Sequence, residues 1–307
     1  MTGALTLRFA SQAQQDIGRI SDQLADLHRQ VGSGARAVDL VGFGARSSQL
    51  LSARALRAAV DTRASVLSQL DTRLDVQGAA LGRVGAASTS LAQSIREAVS
   101  ANDGRGITIE LEYAFTDMVT GLNQTWNGQP LFSGERLTGV PVQLYSIAQL
   151  QAAGGPEDIY DEAARHQVLD FGDSPALRLA PKASELSQDL FAIVVELQDM
   201  IDAAGGSLGQ PLTGSQTTQL LHIAGRLDGE ANRFISEEGR VGQMQKDFAL
   251  ERLRLQERSD LLTKEVGVHA DADLAQVSIQ LSTLMVQYEA AAKTFSDLSG
   301  MSLLNYL

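Results

Sequence analysis

The sequence predicts a mainly α fold: a long antiparallel helical bundle or coiled coil formed by the N- and C-terminal parts, with a small inserted β-containing domain. Three observations carry this. First, Leu274, Val277, Leu281, Leu284, Tyr288, Ala291, Phe295 and Leu298 follow one another at steps of 3, 4, 3, 4, 3, 4 and 3 residues. That is a heptad seam, whose 3.5-residue period keeps one narrow stripe of a helix facing a partner. Ile17, Ile20, Leu24, Leu27 and Val31 repeat the spacing near the other terminus, so the two ends are expected to pair. Second, only 5% of residues are aromatic, while Ala, Leu, Gln, Ser and Arg abound, a composition that favours long helices. Third, five of the six prolines fall from Pro130 to Pro181, where the helical period disappears.

Taken in order, residues 1 to 32 read as one amphipathic helix with a ragged polar start at Met1 to Ser11 and a stop at Gly32-Ser33-Gly34. Ala35 to Gly44, apolar but holding Gly42 and Gly44, reads as a connector. A second helix is expected from Ser47 to Ala101, with a seam running through Leu67, Leu74, Leu81, Val84, Leu91 and Ile95 and two polar interruptions at Gln77 and Ser88. At 1.5 Å per residue it would be a rod of roughly 80 Å. Asn102 to Gly106 is a turn cluster, followed by a third helix from Ile107 to about Thr125 that Trp126-Asn127-Gly128-Gln129-Pro130 ends. Leu131 to Pro181 reads as the insert, with alternating stretches at Val140 to Tyr145, Gln167 to Phe171 and Ala176 to Leu179 and short helices at Ile147 to Ala152 and Pro156 to Ala164. A helix from Ala183 to Ala204 closes at Gly205-Gly206, and Gly209-Gln210-Pro211 leads to Thr213. The last long pattern, Ser215 to Val266, carries Val241, Met244, Phe248, Leu255 and Leu262 on a heptad frame. It is expected to be the antiparallel counterpart of 47–101.

Composition removes several function classes. A net charge of -12 disfavours nucleic acid as a partner, because such binding needs clustered Lys and Arg. Membrane insertion is not expected either: no run reaches spanning length, and Lys293 is the one basic residue of the last helix. The start of the chain, with a lone early Arg8 and no apolar run, reads as lacking a cleavable signal peptide. There is no cysteine, which suits a chain that must stay uncrosslinked before reaching an oxidising exterior. His28, His166, His222 and His269 are scattered beyond metal-ligand spacing, and Asp271 with Asp273 reads as helix capping rather than a metal site. No dinucleotide, phosphate-loop, nucleophile-elbow or zinc motif is present. No catalytic, cofactor-binding or metal residue is therefore assigned, and no cofactor is expected.

The layout of helical termini, long rod and central insert resembles the bacterial flagellin superfamily. Ser33-Gly34-Ala35-Arg36 ends the first helix as the family's S-G-x-[KR] does, and Leu131-Phe132-Ser133-Gly134 is similar to the stretch that enters the insert of hook-filament junction proteins. Asp273-Leu274-Ala275 at the head of the last helix looks like the family's D-x-[DN]-[LM]-A, and the ending Met301 to Leu307 resembles the junction-type S-L-x-[DN]-Y-[LI]. The resemblance covers about 1 to 134 and 215 to 307. One departure is the loop after Arg36, where the family's Asp-rich pattern is reduced to Asp39. The resemblance implies export as an unfolded chain with a cytoplasmic export chaperone, then assembly outside the cell as a ring between hook and filament.

The resulting expectation is a structural protein of the bacterial flagellum, of hook-filament junction type and not an enzyme. Its partners would be copies of itself and neighbouring flagellar hook-associated and filament proteins. The expected division is 1–44 and 267–307 as terminal assembly helices, mobile in the monomer; 45–130 and 182–266 as the rod core; and 131–181 as the insert. The expected assembly seam is Ile17, Ile20, Leu24, Leu27 and Val31 with Leu274, Val277, Leu281, Leu284, Tyr288, Phe295 and Leu298. The alternatives are a filament flagellin, a cytoplasmic coiled-coil adaptor, or a ligand-binding or enzymatic insert.

Overall fold

The computed structural model describes residues 2–37, 43–44, 47–170 and 176–304, without the side chains of 2–10 and 298–304. Among them the chain is mainly α, in the order α1 (Thr2–Ser33), α2 (Ser47–Ala101), α3 (Ile107–Leu122), β1 (Thr125–Trp126), β2 (Gln129–Pro130), α4 (Ile147–Ala152), α5 (Pro156–Ile159), β3 (Val168–Leu169), β4 (Leu177–Arg178), α6 (Ala183–Ala203), α7 (Gly214–Ala270) and α8 (Leu274–Leu304). Two compact units form: a terminal unit of residues 1–64 with 253–307, and a central unit of residues 65–252. The division falls inside α2 and α7. Helix α7 runs through Gly267 to Ala270, four residues past the expected end at Val266.

In the central unit α2 and α7 run antiparallel, as expected. A Cβ at Gly78 would meet Val241 at 3.7 Å, and one at Gly85 would meet Phe234 at 3.3 Å. Gln245 donates to Asp75 at 2.6 Å and Arg252 to Asp71 at 3.1 Å in the same falling register. Leu67, Leu74, Leu81, Val84, Leu91 and Ile95 are buried, as are Val241, Met244 and Phe248 opposite them. Helix α3 comes close because Gly121 has no side chain; a Cβ there would lie 2.6 Å from Val84 Cγ2 and 3.0 Å from the Ala80 carbonyl oxygen.

The two polar interruptions of the α2 seam are both buried. Gln77 donates to the Leu179 carbonyl at 3.2 Å, and Ser88 donates back to Val84 at 3.0 Å. One turn before Gln77, the guanidinium of Arg73 donates to Gln167 Oε1 at 2.5 Å, and its burial lowers its pKa. A buried polar group is costly unless bonded, so Gln77 and Arg73 fix where the segment around β3 and β4 lies along α2.

Helix α3 stops at Leu122, short of the expected Thr125, because a tight hairpin takes over: Thr125 pairs with Pro130 and Trp126 with Gln129. Asn127 and Gly128 take φ of 50 and 75 degrees at its tip, the doubly left-handed turn that Asn-Gly favours. The insert belongs to the same compact unit as the bundle. Of its expected strands, 167–171 and 176–179 contain β3 and β4, paired antiparallel, with Phe171 outside the described residues. Val140 to Tyr145 yields only a single bridge, Val142 to Tyr160. Helix α4 forms as expected, while α5 is a single turn.

Phe132 and Ser133 are almost fully buried, and their carbonyls accept from Ala183 at 2.8 Å and Ala163 at 2.9 Å. Gly134 follows with φ 65, and a Cβ there would strike the Arg165 carbonyl. The Leu-Phe-Ser-Gly stretch is thus a junction between the bundle and the segment preceding α6. Around it, Tyr160 donates to or accepts from Ser187 at 2.9 Å and stacks on Phe191 with 6.3 Å between ring centroids. Burial pushes the Tyr160 phenol up to about 12. Burial would also raise the Glu185 carboxyl, but the hydrogen bond from His166 and the charge of Arg178 outweigh it and hold that carboxyl below its ordinary range.

Candidate assembly surface

In the terminal unit α1 packs along α8, so the two sequence ends do pair. The clasp that holds them is built from backbone. Helix α1 ends with the Gly34 N–H on the Gln30 carbonyl at 2.8 Å, and Gly34 takes φ 69, the left-handed cap for which glycine is suited. Ala35 then bridges to Asp271. The Arg36 N–H donates to Ala270 at 2.8 Å, the Ala272 N–H donates to Gly34 at 2.9 Å, and the Arg36 guanidinium reaches the Asp271 carbonyl at 2.9 Å. The Ser33 to Arg36 motif therefore ties the end of α1 to the α7–α8 corner. Asp273 caps α8 by accepting from the N–H groups of Ala275 and Gln276, both at 3.1 Å. Of the acidic pair, Asp273 is the capping side chain, while Asp271 enters through its backbone.

The seam residues divide by burial. Leu27 and Val277 alone are closed off, at 8% and 5% exposure. Ile17, Ile20, Leu24, Leu281, Leu284, Ala291 and Phe295 are half-buried, whereas Val31, Leu274 and Tyr288 are exposed. The side chain of Leu298 lies outside the described residues. A two-helix pair covers one flank of each stripe only, and the seam is left partly wet. An open groove of about 680 Å³ runs along the pair, with Leu27, Leu284 and Ile279 among its walls.

The structure adds residues that the heptad reading missed. Ile279 and Val286 are 68% and 67% exposed, seven residues apart and off the seam. Met285 is exposed as well. These residues sit off the a and d positions, so a search for one stripe passed over them; the signal was that α8 is apolar on more than one face. Two ion pairs of this unit, Arg19 to Asp16 and Arg29 to Asp26, are local and exposed and contribute little. Among the described residues no helix is long and apolar enough to cross a membrane.

No protein-family model matches the sequence, and no curated protein matches it. Solved structures match in fold, two flagellar proteins among them. One is a protein assigned as a flagellar hook-associated protein from Vibrio parahaemolyticus, with 16% identity, 73% of this chain and 97% of that one covered, and a TM-score of 0.57. The other is FlgL of Bacillus cereus, with 14% identity, 71% and 98% coverage, and a TM-score of 0.52. At these identities the likeness is one of fold, and the chain shares its long-helix architecture with these two flagellar structures.

Proposed function

We propose that this protein is a structural subunit of the bacterial flagellum that assembles between hook and filament and has no catalytic activity. The observation that carries the reading is the combination of a fold likeness spanning nearly the whole of two flagellar structures with terminal helices whose apolar faces stay half-wet in one copy. The mechanism is burial linked to assembly. Each fully buried Leu or Ile stabilises by about 1.5 to 3 kcal/mol, and α1 with α8 realises only part of this until neighbours cover Leu274, Ile279, Val286 and Tyr288. Ordering each residue costs on the order of 1 to 2 kcal/mol of backbone entropy, so the pair has little surplus alone.

In this reading the chain is exported unfolded with a cytoplasmic chaperone and meets copies of itself and neighbouring hook-associated and filament proteins outside the cell. A chain without cysteine cannot be trapped by crosslinks on that route. Antibody labelling of isolated hook-filament preparations tests the proposal. Label confined to a short zone at the hook-filament boundary is expected. Label along the filament would make it a filament subunit, and absence from the preparations would contradict a flagellar role.

A further inference from the structure

Helices α3, α4 and α6 of the central unit meet around an open cleft of about 540 Å³, a size common among small-molecule sites. Its floor is apolar, formed by the buried Phe115 and Ile147. On its rim stands Tyr145, 84% exposed, more than any other large apolar side chain among the described residues. The backbone that carries this ring is pinned at the start of α4: the Tyr145 N–H donates to Gln149 Oε1 at 2.7 Å, and Ser146 caps the helix by accepting from the Gln149 N–H at 3.3 Å. The polar wall is a network of amides and carboxylates. Gln151 donates to Asp199 at 2.8 Å and to Asp202 at 3.0 Å, and Gln198 donates to the other oxygen of Asp202 at 2.9 Å. These bonds spend amide N–H groups and leave the amide carbonyl oxygens as acceptors, beside the exposed carboxylate of Glu112. The Tyr145 and Ser146 hydroxyls and the second N–H of Gln198 supply donors. Among the described residues no Lys or Arg lines the cleft.

We propose that this cleft binds a neutral sugar, free or as a residue of a glycan. Each sugar hydroxyl both donates and accepts, which suits a wall of amides, hydroxyls and carboxylates that offers both. The C–H face of the ring is apolar, and it suits a pinned, solvent-exposed tyrosine above an apolar floor, where burial of both surfaces is favourable. An anion would meet Glu112 and Asp202 with no cation to offset them. A metal cation asks for oxygen acceptors alone, and here the Asp202 carboxylate already accepts from two amides. The inference does not depend on the assembly reading, because the whole cleft lies within the central unit.

Saturation-transfer NMR on the purified full chain tests it, with glucose, galactose, N-acetylglucosamine, maltotriose and chitotriose as neutral probes and N-acetylneuraminic acid and arginine as charged ones. Transfer to at least one neutral sugar, strongest on its C–H protons, is expected. Tyr145→Ala should weaken that binding about tenfold and leave the unfolding midpoint unchanged, since the ring is exposed. Tyr113→Ala, which removes an exposed tyrosine of α3 outside the cleft, should leave binding as it was. A trimer bound more tightly than its monomer would identify the ligand as a glycan, and equal binding would identify it as a single sugar. No transfer to any neutral sugar, binding that survives Tyr145→Ala, or a charged probe bound in preference to every neutral one would overturn the inference.

Discussion

The terminal and central units are made from the same kind of helix yet differ in how much of each seam is covered. In the central unit Leu67, Leu74, Leu81, Leu91 and Ile95 are all at 1% exposure or less, because α3, α6, α7 and the insert close around α2. Along α1 and α8 the same spacing leaves only Leu27 and Val277 of the seam closed off. Heptad spacing thus states that a stripe needs a partner, not whether the partner lies in the same chain. The difference is set by the number of neighbouring helices, and a seam with a single neighbour is an incomplete interface.

The largest effect expected from this contrast is on assembly. Leu281→Asp or Leu284→Asp would place a charge on a face that must be buried between copies, abolishing filament attachment in a motility assay while the circular dichroism of the monomer stays unchanged. Retained motility in both would remove the seam from the interface. Next comes Phe191→Ala, which empties the site between Phe115, 6.0 Å away, and Tyr160. It should cost about 3 to 5 kcal/mol in urea unfolding, whereas Leu281→Ala should cost under about 1 kcal/mol in the same experiment, since its site is half-open already. Gly121→Ala falls between them, at about 1 to 3 kcal/mol, because its Cβ would press on Val84.

The smallest effect is on pH dependence. Glu185 has a folded pKa below its ordinary value near 4.5, so its contribution is present above that value and is lost as pH falls through the lowered one. Partial exposure makes it modest. Glu185→Gln should flatten the acid limb of the melting curve below about pH 4.5, and an unchanged limb would remove Glu185 from the account of how α6 is held.

Much of the fold was legible because long helices announce themselves. Seven-residue recurrence over fifty-odd positions marks α2 and α7 as long helices that need partners, and Gly34 and Asp273 mark the end of α1 and the start of α8. What was missed was short. Asn127-Gly128 reads in sequence as a breaker and is the tip of a hairpin, and the alternation at Val140 to Tyr145 reads as a strand but forms a single bridge. There the backbone finds a side chain instead: the Val142 N–H donates to Asn123 Oδ1 at 2.8 Å, and Asn123 Nδ2 returns a bond to the Val142 carbonyl at 2.9 Å. Such a pairing leaves no periodic trace. The surface is half-legible for a related reason, since a and d positions name the stripe against α1 and are silent about Ile279 and Val286, which lie off those positions.

The most direct test of the central claim, that α1 and α8 are completed by other subunits, is amide hydrogen exchange followed by mass spectrometry in the monomer and in the assembled state. Opening free energies follow local coverage, so the account predicts fast exchange over α1 and α8 in the monomer, slow exchange over the Leu67 to Ile95 stretch of α2 in both states, and protection of both terminal helices only on assembly. A monomer in which α8 is already as protected as that stretch of α2, with no further gain on assembly, would contradict it.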